Sequence, residues 1–217
     1  MSELKTCVIA DSGNIVSPRG RAFFCAIAKK FKKKGKKDDD GQYVVTLLIP
    51  PDADLELLED AVKTCAAEKW GQKLPKNLKS PIREASDVLT DDGDPKYPEE
   101  YQDYYQITAN TYKTQPGVID AKGVKVNTLR PGESQEDVQA RMEEECFQGR
   151  WMRISVSPAT FDTDGNRGVK LYLQGVQLLD KDDVLGGFGG NAEKDFSPVD
   201  MGEKKGAKKK SAASIFD

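Results

Sequence analysis

Histidine is absent from all 217 residues of this chain. Its absence removes Cys₂His₂ zinc sites, Ser-His-Asp and Cys-His triads, and the commonest general base. An enzyme that works with carboxylates, lysine or bound magnesium is still compatible with the composition. Cysteine is scarce: Cys7, Cys25, Cys65 and Cys146 lie far apart and make no C-x-x-C pair. Thiols scattered in this way read as small buried hydrophobes, ahead of any metal or redox role. No apolar run approaches the ~20 residues that cross a bilayer, and the opening MSELKTC lacks a signal-peptide pattern. The expectation is a cytosolic chain with no membrane partner and no cofactor.

What the chain has in quantity is charge: 33 Lys and Arg against 36 Asp and Glu, a net −3. Within that acidic balance Lys29–Lys37 (KKFKKKGKK) gathers seven lysines around Phe31 and Gly35. Lysines that neutralise phosphates release condensed counterions and gain affinity from it, so a polyanion site is one reading. A solvated surface loop is the other.

The position of the run bears on that choice. Gly20–Phe31 (GRAFFCAIAKKF) and Gln42–Ile49 (QYVVTLLI) read as strands, the second bounded by Gly41 and by Pro50-Pro51. The lysines and Asp38-Asp39-Asp40-Gly41 therefore form the connection of a long hairpin, with Asp-Gly turn chemistry. Asp54 is expected to cap a helix reaching about Trp70, whose Leu55, Leu58, Ala61, Val62 and Cys65 make one apolar stripe. Gly71–Arg83 is irregular, and Asp87–Asp103 is an acidic, turn-rich excursion. Tyr104–Tyr112 and Val118–Val126 read as strands, the latter turning at Lys122-Gly123. Ser134–Cys146 reads as a short acidic helix opened by Ser134 and Asp137 in a capping-box-like pattern. Arg150–Ser157 and Val169–Leu179 close the ordered part, joined across Asp162–Asn166. This order predicts a mainly β fold: a five- to six-stranded, partly open barrel with one main helix and a second short one. It would occupy residues 1–185, with 186–217 as a flexible Gly-, Lys-, Ala- and Ser-rich tail.

Single-stranded nucleic acid needs a basic groove for its backbone and aromatic rings for its bases. Several segments combine the two. Lys29, Lys30, Lys32, Lys33, Lys34, Lys36 and Lys37 enclose Phe31; Lys69, Lys73, Lys76, Lys79 and Arg83 run on from Trp70. Arg150, Trp151 and Arg153 share one strand, while Arg167, Lys170 and Tyr172 share the next. On the first of these, Met152, Ile154 and Val156 occupy one face and Trp151, Arg153 and Ser155 the other. Trp151 is then either a stacking platform or packed beneath a helix or loop. Other motifs carry less. Asp162–Asn166 opens like a calcium loop but lacks the spacing and the distal Glu. Gly186-Gly187-Phe188-Gly189-Gly190 precedes no helix and makes no phosphate cradle. The carboxylates of Glu84–Asp103 and Glu133–Glu145 read as solvated faces, with magnesium binding as the alternative.

The stretch Lys69-Trp70-Gly71 through Ser80-Pro81-Ile82-Arg83 resembles a motif of a phage-encoded family long catalogued as a domain of unknown function, whose members were later recognised as OB-fold single-stranded-DNA-binding proteins. Ile107-Thr-Ala-Asn110, Pro116-Gly-Val-Ile-Asp120, Gly149-Arg150, Asp164-Gly-Asn-Arg-Gly168, Gln174-Gly-Val-Gln177 and Leu185-Gly-Gly187 are similar to it in the same order. Leu47-Leu48-Ile49-Pro50 and the Gly-rich exit also resemble replication single-strand-binding proteins of lytic podoviruses. Together the matches span roughly residues 20–196.

This resemblance implies an OB-fold, no enzymatic activity, and a single-stranded-DNA coat acting in phage replication, recombination or repair in the host cytoplasm. In OB-folds the oligonucleotide crosses strands 2–3 and the neighbouring loops. The expected site is therefore the lysine run with Trp151, Arg153 and Tyr172, supported by Arg150, Arg167, Lys170, Tyr105 and Tyr112, and extended by Lys5, Arg19 and Arg21. Relatives end in an acidic tail with a terminal aromatic that docks replication proteins. Asp195-Phe196 and Ile215-Phe216-Asp217 echo it, but Lys204, Lys205, Lys208, Lys209 and Lys210 make the stretch between them basic. Partner recruitment through this tail and tail contact with DNA are both open. So are two other classes, a magnesium-dependent phage nuclease and a protein-interaction module. Asn127–Cys146 exceeds the family pattern and has no assigned role.

Overall fold

Two long antiparallel hairpins carry the fold, β3 (Gly20–Phe31) with β4 (Gln42–Ile49), and β8 (Trp151–Thr163) with β9 (Asn166–Leu178). The computed structural model describes residues 4–32, 40–163 and 165–185. The remaining elements are β1 (Val8–Ile9), β2 (Ile15–Val16), α1 (Glu56–Trp70), β5 (Ile82–Glu84), β6 (Tyr105–Thr111), β7 (Gly117–Ile119) and α2 (Gln135–Glu145). Lys33, Lys34, Lys36 and Lys37, and the tail from residue 186 onward, lie outside the described residues.

The strands form one nine-stranded sheet in the order β1-β2-β8-β3-β4-β6-β9-β7, with β5 paired to β6 and β8 paired to β9. Most pairings are antiparallel, but β9 runs parallel to both β6 and β7. This corrects the expected five- to six-stranded, partly open barrel. The mainly β character and the two helices are present, but the architecture is a nine-stranded mixed sheet that ends in β1 and β7. The physical reason is that β1, β2, β5 and β7 span only two or three residues each. Segments so short have no hydrophobic period and read as loop. The expected strand Val118–Val126 is an example. Its ladder stops at Ile119, where Asp120 Oδ1 accepts the backbone N–H groups of Lys122 and Val124 at 2.8 Å each and closes a turn.

Alternation along the strands sorts two cores. Val45, Leu47 and Ile49 of β4 point to one side with Ile107 and Ala109 of β6, Met152, Ile154 and Val156 of β8, and Leu171 and Leu173 of β9. Leu58 of α1 and Val138 and Met142 of α2 complete this cluster, so Asn127–Cys146 gains a packing role. The α2 capping box is present: Asp137 N–H donates to Ser134 Oγ at 3.2 Å, and Ser134 N–H donates to Asp137 Oδ2 at 2.8 Å. At α1 the cap differs from expectation. Leu55 holds the cap position without a side-chain bond, and Asp54 Oδ1 accepts from Glu56 N–H at 2.9 Å.

The second cluster lies on the opposite side of β4. Leu48 packs there with Ala85, Val88, Tyr97 and Tyr101, and Phe23 meets Tyr97 edge-on at 4.6 Å. Tyr97 donates its hydroxyl hydrogen to Gln106. The acidic excursion thus covers the Leu48 end of the outward face. The Gln42 end carries the lysines.

Candidate nucleic-acid interface

Because Val45, Leu47 and Ile49 face the core, Gln42, Val44 and Thr46 face outward. Register extends that row across the sheet. Phe24 pairs with Thr46 and Phe31 with Gln42; Thr46 pairs with Thr108 and Val44 with Asn110; Asn110 pairs with Tyr172, and Tyr172 with Ser157. Hydrogen bonds fix its polar members. The Thr46 and Thr108 hydroxyls lie 3.0 Å apart, and Asn110 Nδ2 donates to Gln42 Oε1 at 3.0 Å. Phe24 and Phe31 meet edge-to-face at 5.3 Å. Phe31 is 41% exposed and Tyr112, just past β6, is 48% exposed, so both rings are accessible for stacking.

Cations sit among these rings. Lys170 Nζ lies 4.5 Å from the Tyr172 ring centre and 5.7 Å from that of Tyr112, while Lys30 Nζ lies 5.7 Å from Tyr43. Cation–π contacts of this kind hold an ammonium beside a ring face without neutralising it. An open depression of about 620 Å³ is lined by Lys30, Asp40, Gly41, Tyr112 and Lys113. Gly41 is needed here, because its φ is +74° and a Cβ would lie 3.0 Å from Phe31 O and from Lys32 Cγ. The irregular stretch after Trp70 also reaches this face. Lys79 N–H donates to Arg167 O, and Val169 N–H to Lys79 O, both at 3.0 Å, which sets exposed Lys79 beside the start of β9.

The predicted residues divide into two groups. Phe31, Tyr112, Lys170 and Tyr172 lie on the outward face toward its Gln42 end. Lys30, set over Tyr43 on the other parity, reaches the depression that Tyr112 also lines; Lys29 and Lys32 are exposed on either side of it in sequence. Trp151 and Arg153 lie elsewhere on β8, Trp151 being roughly 20 Å from Ser157 at ~3.3 Å per residue. Arg19 covers the Trp151 ring at 4.1 Å, and the indole N–H donates to Asp182 Oδ2 at 2.9 Å. That indole bond, with the Asp183 N–H and the nearby Arg21 and Arg19, holds the Asp182 carboxyl below the usual carboxylate range. Arg153 Nε donates to Ser17 O at 2.8 Å.

Other members turn inward or are engaged. Arg150, 6% exposed, donates to Glu145 Oε2 at 2.8 Å and to Leu179 O at 2.7 Å, so it is a clamp and not a phosphate contact. Tyr105 packs against the main core on the parity opposite Gln106, Thr108 and Asn110. Arg167 is part-buried near the tip of the β8–β9 hairpin, on the opposite parity from Lys170. Arg21 is another clamp, donating to Gly149 O, Tyr101 Oη and Asp183 O. Lys5 pairs with Asp52. Sequence reasoning missed Phe24, Gln42, Tyr43, Thr46, Asn110 and Lys113. The period-2 alternation of QYVVTLLI carried the signal for Gln42 and Thr46.

The thiols are buried to different degrees. Burial pushes Cys7 up to about 11 and Cys146 up to about 12, and raises Cys25 and Cys65 as well, so all four are protonated at neutral pH. Among the described residues no group of three or more Cys, Asp or Glu side chains could hold a metal ion. No helix among them is long and apolar enough to cross a membrane.

The model of a protein family described as "Enterobacter phage Enc34, ssDNA-binding protein" matches residues 20–207. Among solved structures, the single-stranded-DNA-binding protein from bacteriophage Enc34 in complex with ssDNA superposes with a TM-score of 0.63 at 19% identity, covering 84% of this chain and 94% of that one. A C-terminal truncation of the Enc34 protein gives 0.63 at 17% identity over 83% and 94% of the two chains. The gp2.5 single-stranded-DNA-binding protein encoded by bacteriophage T7 gives 0.50 at 16% identity over 85% and 97%. Comparison with curated protein sequences finds no match.

Proposed function

The chain belongs to the family of the Enterobacter phage Enc34 ssDNA-binding protein, and from that premise we propose that it is a non-enzymatic, largely sequence-independent coat for single-stranded DNA. One observation carries the reading: aromatic rings, Phe31 and Tyr112 exposed among them, and lysines converge at the Gln42 end of the sheet where β4, β6 and β9 meet. Lys170 stands between the Tyr172 and Tyr112 rings, Phe31 pairs with Gln42 on the same face, and Lys30 lines one depression with Tyr112 at that end. Each stacked base is worth ~1–3 kcal/mol, and every base has a π-face, so such a platform is tolerant of sequence. The lysines add a backbone term that ignores sequence and weakens with salt.

Residues 1–185 carry this activity in our reading, in phage replication, recombination or repair within the host cytoplasm. Lys33, Lys34, Lys36 and Lys37 extend the backbone grip, and Trp151, Arg153 and Arg167 lie on its periphery. For residues 186–217 the aromatic-acidic groups Asp195-Phe196 and Ile215-Phe216-Asp217 suit contact with phage replication or recombination proteins, and the lysines between them suit DNA. The nuclease alternative draws no support from the carboxylates, which form no metal-binding group among the described residues.

The test is anisotropy of labelled oligo-dT, mixed-sequence single strand, duplex and RNA at low and moderate salt, with magnesium present. We expect tight binding of both DNA single strands, weaker binding of duplex, and intact probe. Cleavage of the probe, or indifference to single strands at low salt, would overturn the proposal.

A further inference from the structure

Two glycines face each other across the β7–β9 pairing. Gly117 of β7 pairs in register with Gly175 of β9. Neither adopts a positive φ. A Cβ on Gly117 would meet nothing within 4 Å, and one on Gly175 nothing nearer than Gly117 O at 3.5 Å, an ordinary contact. Glycine in a strand weakens it and marks either a bulge or room for an approaching group. Gly175 borders a register slip with β8, but the β7–β9 register at Gly117 is unbroken, so at Gly117 the gain is room.

The room is real. A groove of about 280 Å³ is lined by Val16, Gly117, Ile119, Arg153, Ser155, Gly175, Val176 and Gln177. Its volume falls just below the ~300–1,000 Å³ typical of drug-sized ligands, so it suits one flat ring and not a longer segment. The two glycines give it a floor of bare peptide planes, and Val16 and Ile119 supply apolar walls. Arg153, Ser155 and Gln177 bring hydrogen-bonding groups to the lining, the Arg153 guanidinium being oriented through Nε to Ser17 O at 2.8 Å.

Its place in the sheet identifies the occupant. The β8–β9 register slips between Ser155 and Val156, so that Gly175 pairs with Ser155 while Leu173 pairs with Val156. A bulge of this sort re-aims a strand. It returns Gly175 to the outward face that Tyr172 occupies, roughly 10 Å further along β9 at ~3.3 Å per residue. The groove is thus the continuation of the Tyr112–Lys170–Tyr172 surface toward Arg153.

We infer that the Gly117–Gly175 groove holds a single base of the bound strand, edge toward Arg153, Ser155 and Gln177, next along the track from the base stacked on Tyr172. This rests on the single-stranded-DNA reading above and adds a subsite to it. Three proteins test it: wild type, Gly175→Val, which fills the groove, and Gly117→Ala, whose added Cβ has open space. Oligo-dT affinity is measured beside thermal melts and sedimentation. We expect Gly175→Val to melt like wild type, stay in the same oligomeric state and bind about tenfold more weakly, the loss of one stacked base. Gly117→Ala should bind more weakly than wild type by a smaller factor, and it carries the test if the valine does not fold. Photo-crosslinking of wild type to an iodouracil oligonucleotide should label residues 153–155 or 175–177. Wild-type affinity in the folded variants, or altered self-association with unchanged affinity, overturns the groove as a base site while leaving the coat reading intact. Failure of wild type itself to bind would overturn both.

Discussion

Arg150 and Lys170 are both cations on the closing hairpin, and burial separates their roles. The Arg150 side chain is 7% exposed and is spent on Glu145 and the Leu179 carbonyl, tying the end of α2 to the sheet. Lys170 is only part-buried and stands between two tyrosine rings. Replacing Arg150 with alanine should cost about 2 kcal/mol, the worth of hydrogen bonds to a charged group. Glu145 keeps Lys181 at 2.8 Å, which limits the loss. Lys170→Ala should change stability by less than about 0.5 kcal/mol, as surface substitutions outside a core, cap or buried network do. The order should invert for DNA, with Lys170→Ala weakening oligo-dT binding and folded Arg150→Ala leaving it near wild type. Urea melts and anisotropy on the two variants check this contrast. Side-chain partners of this kind were illegible in the sequence. Trp151, Arg150 and Arg153 looked alike as basic-aromatic neighbours, and only the fold brings Arg19, Glu145 and Ser17 to them.

Among the elements, those with a strong internal period could be read and those without could not. β3 and β4 occupy the residues expected of them, because β-branched and aromatic runs bounded by Gly and Pro leave little choice. α2 announced itself through Ser134 and Asp137. The two- and three-residue strands did not, nor did the parallel pairing of β9 with β6 and β7, which depends on contacts remote in sequence. The outward face of the candidate site was partly legible, since Tyr112, Lys170 and Tyr172 stood out by type, whereas Thr46 and Asn110 needed register to join them. The docking of the irregular stretch onto β9 was also hidden, although Gly168 marks it. A Cβ there would lie 2.3 Å from Lys79 O, so the two backbones approach as only glycine permits. Gly168→Ala should therefore destabilise the protein by about 1–3 kcal/mol, the usual cost of overpacking. A melting temperature equal to wild type would mean that this segment yields without loss.

For the molecule as a whole, the arrangement of charge matters more than its sum. A net −3 disfavours a polyanion in general. Yet Glu99 and Glu100 of the Tyr97–Tyr101 excursion lie over the Leu48 end of the outward face, with Lys96 beside Tyr97, while Lys30, Lys113 and Lys170 lie at the Gln42 end, with Asp40 among them. In the proposed reading a single strand is steered toward one end and repelled from the other, which would give an acidic protein a usable basic surface. Family accounts for a single-stranded-DNA coat; the proposed path of the strand rests on this segregation. The salt dependence of binding measures it directly. Each phosphate contact contributes about −0.7 to the slope of log K against log salt for single strands. Replacing Lys29, Lys30, Lys32 and Lys170 together with alanine should flatten the oligo-dT slope by about 3 and weaken every sequence alike. A folded quadruple variant with the wild-type slope would contradict the account, because the strand would then lie on some other surface.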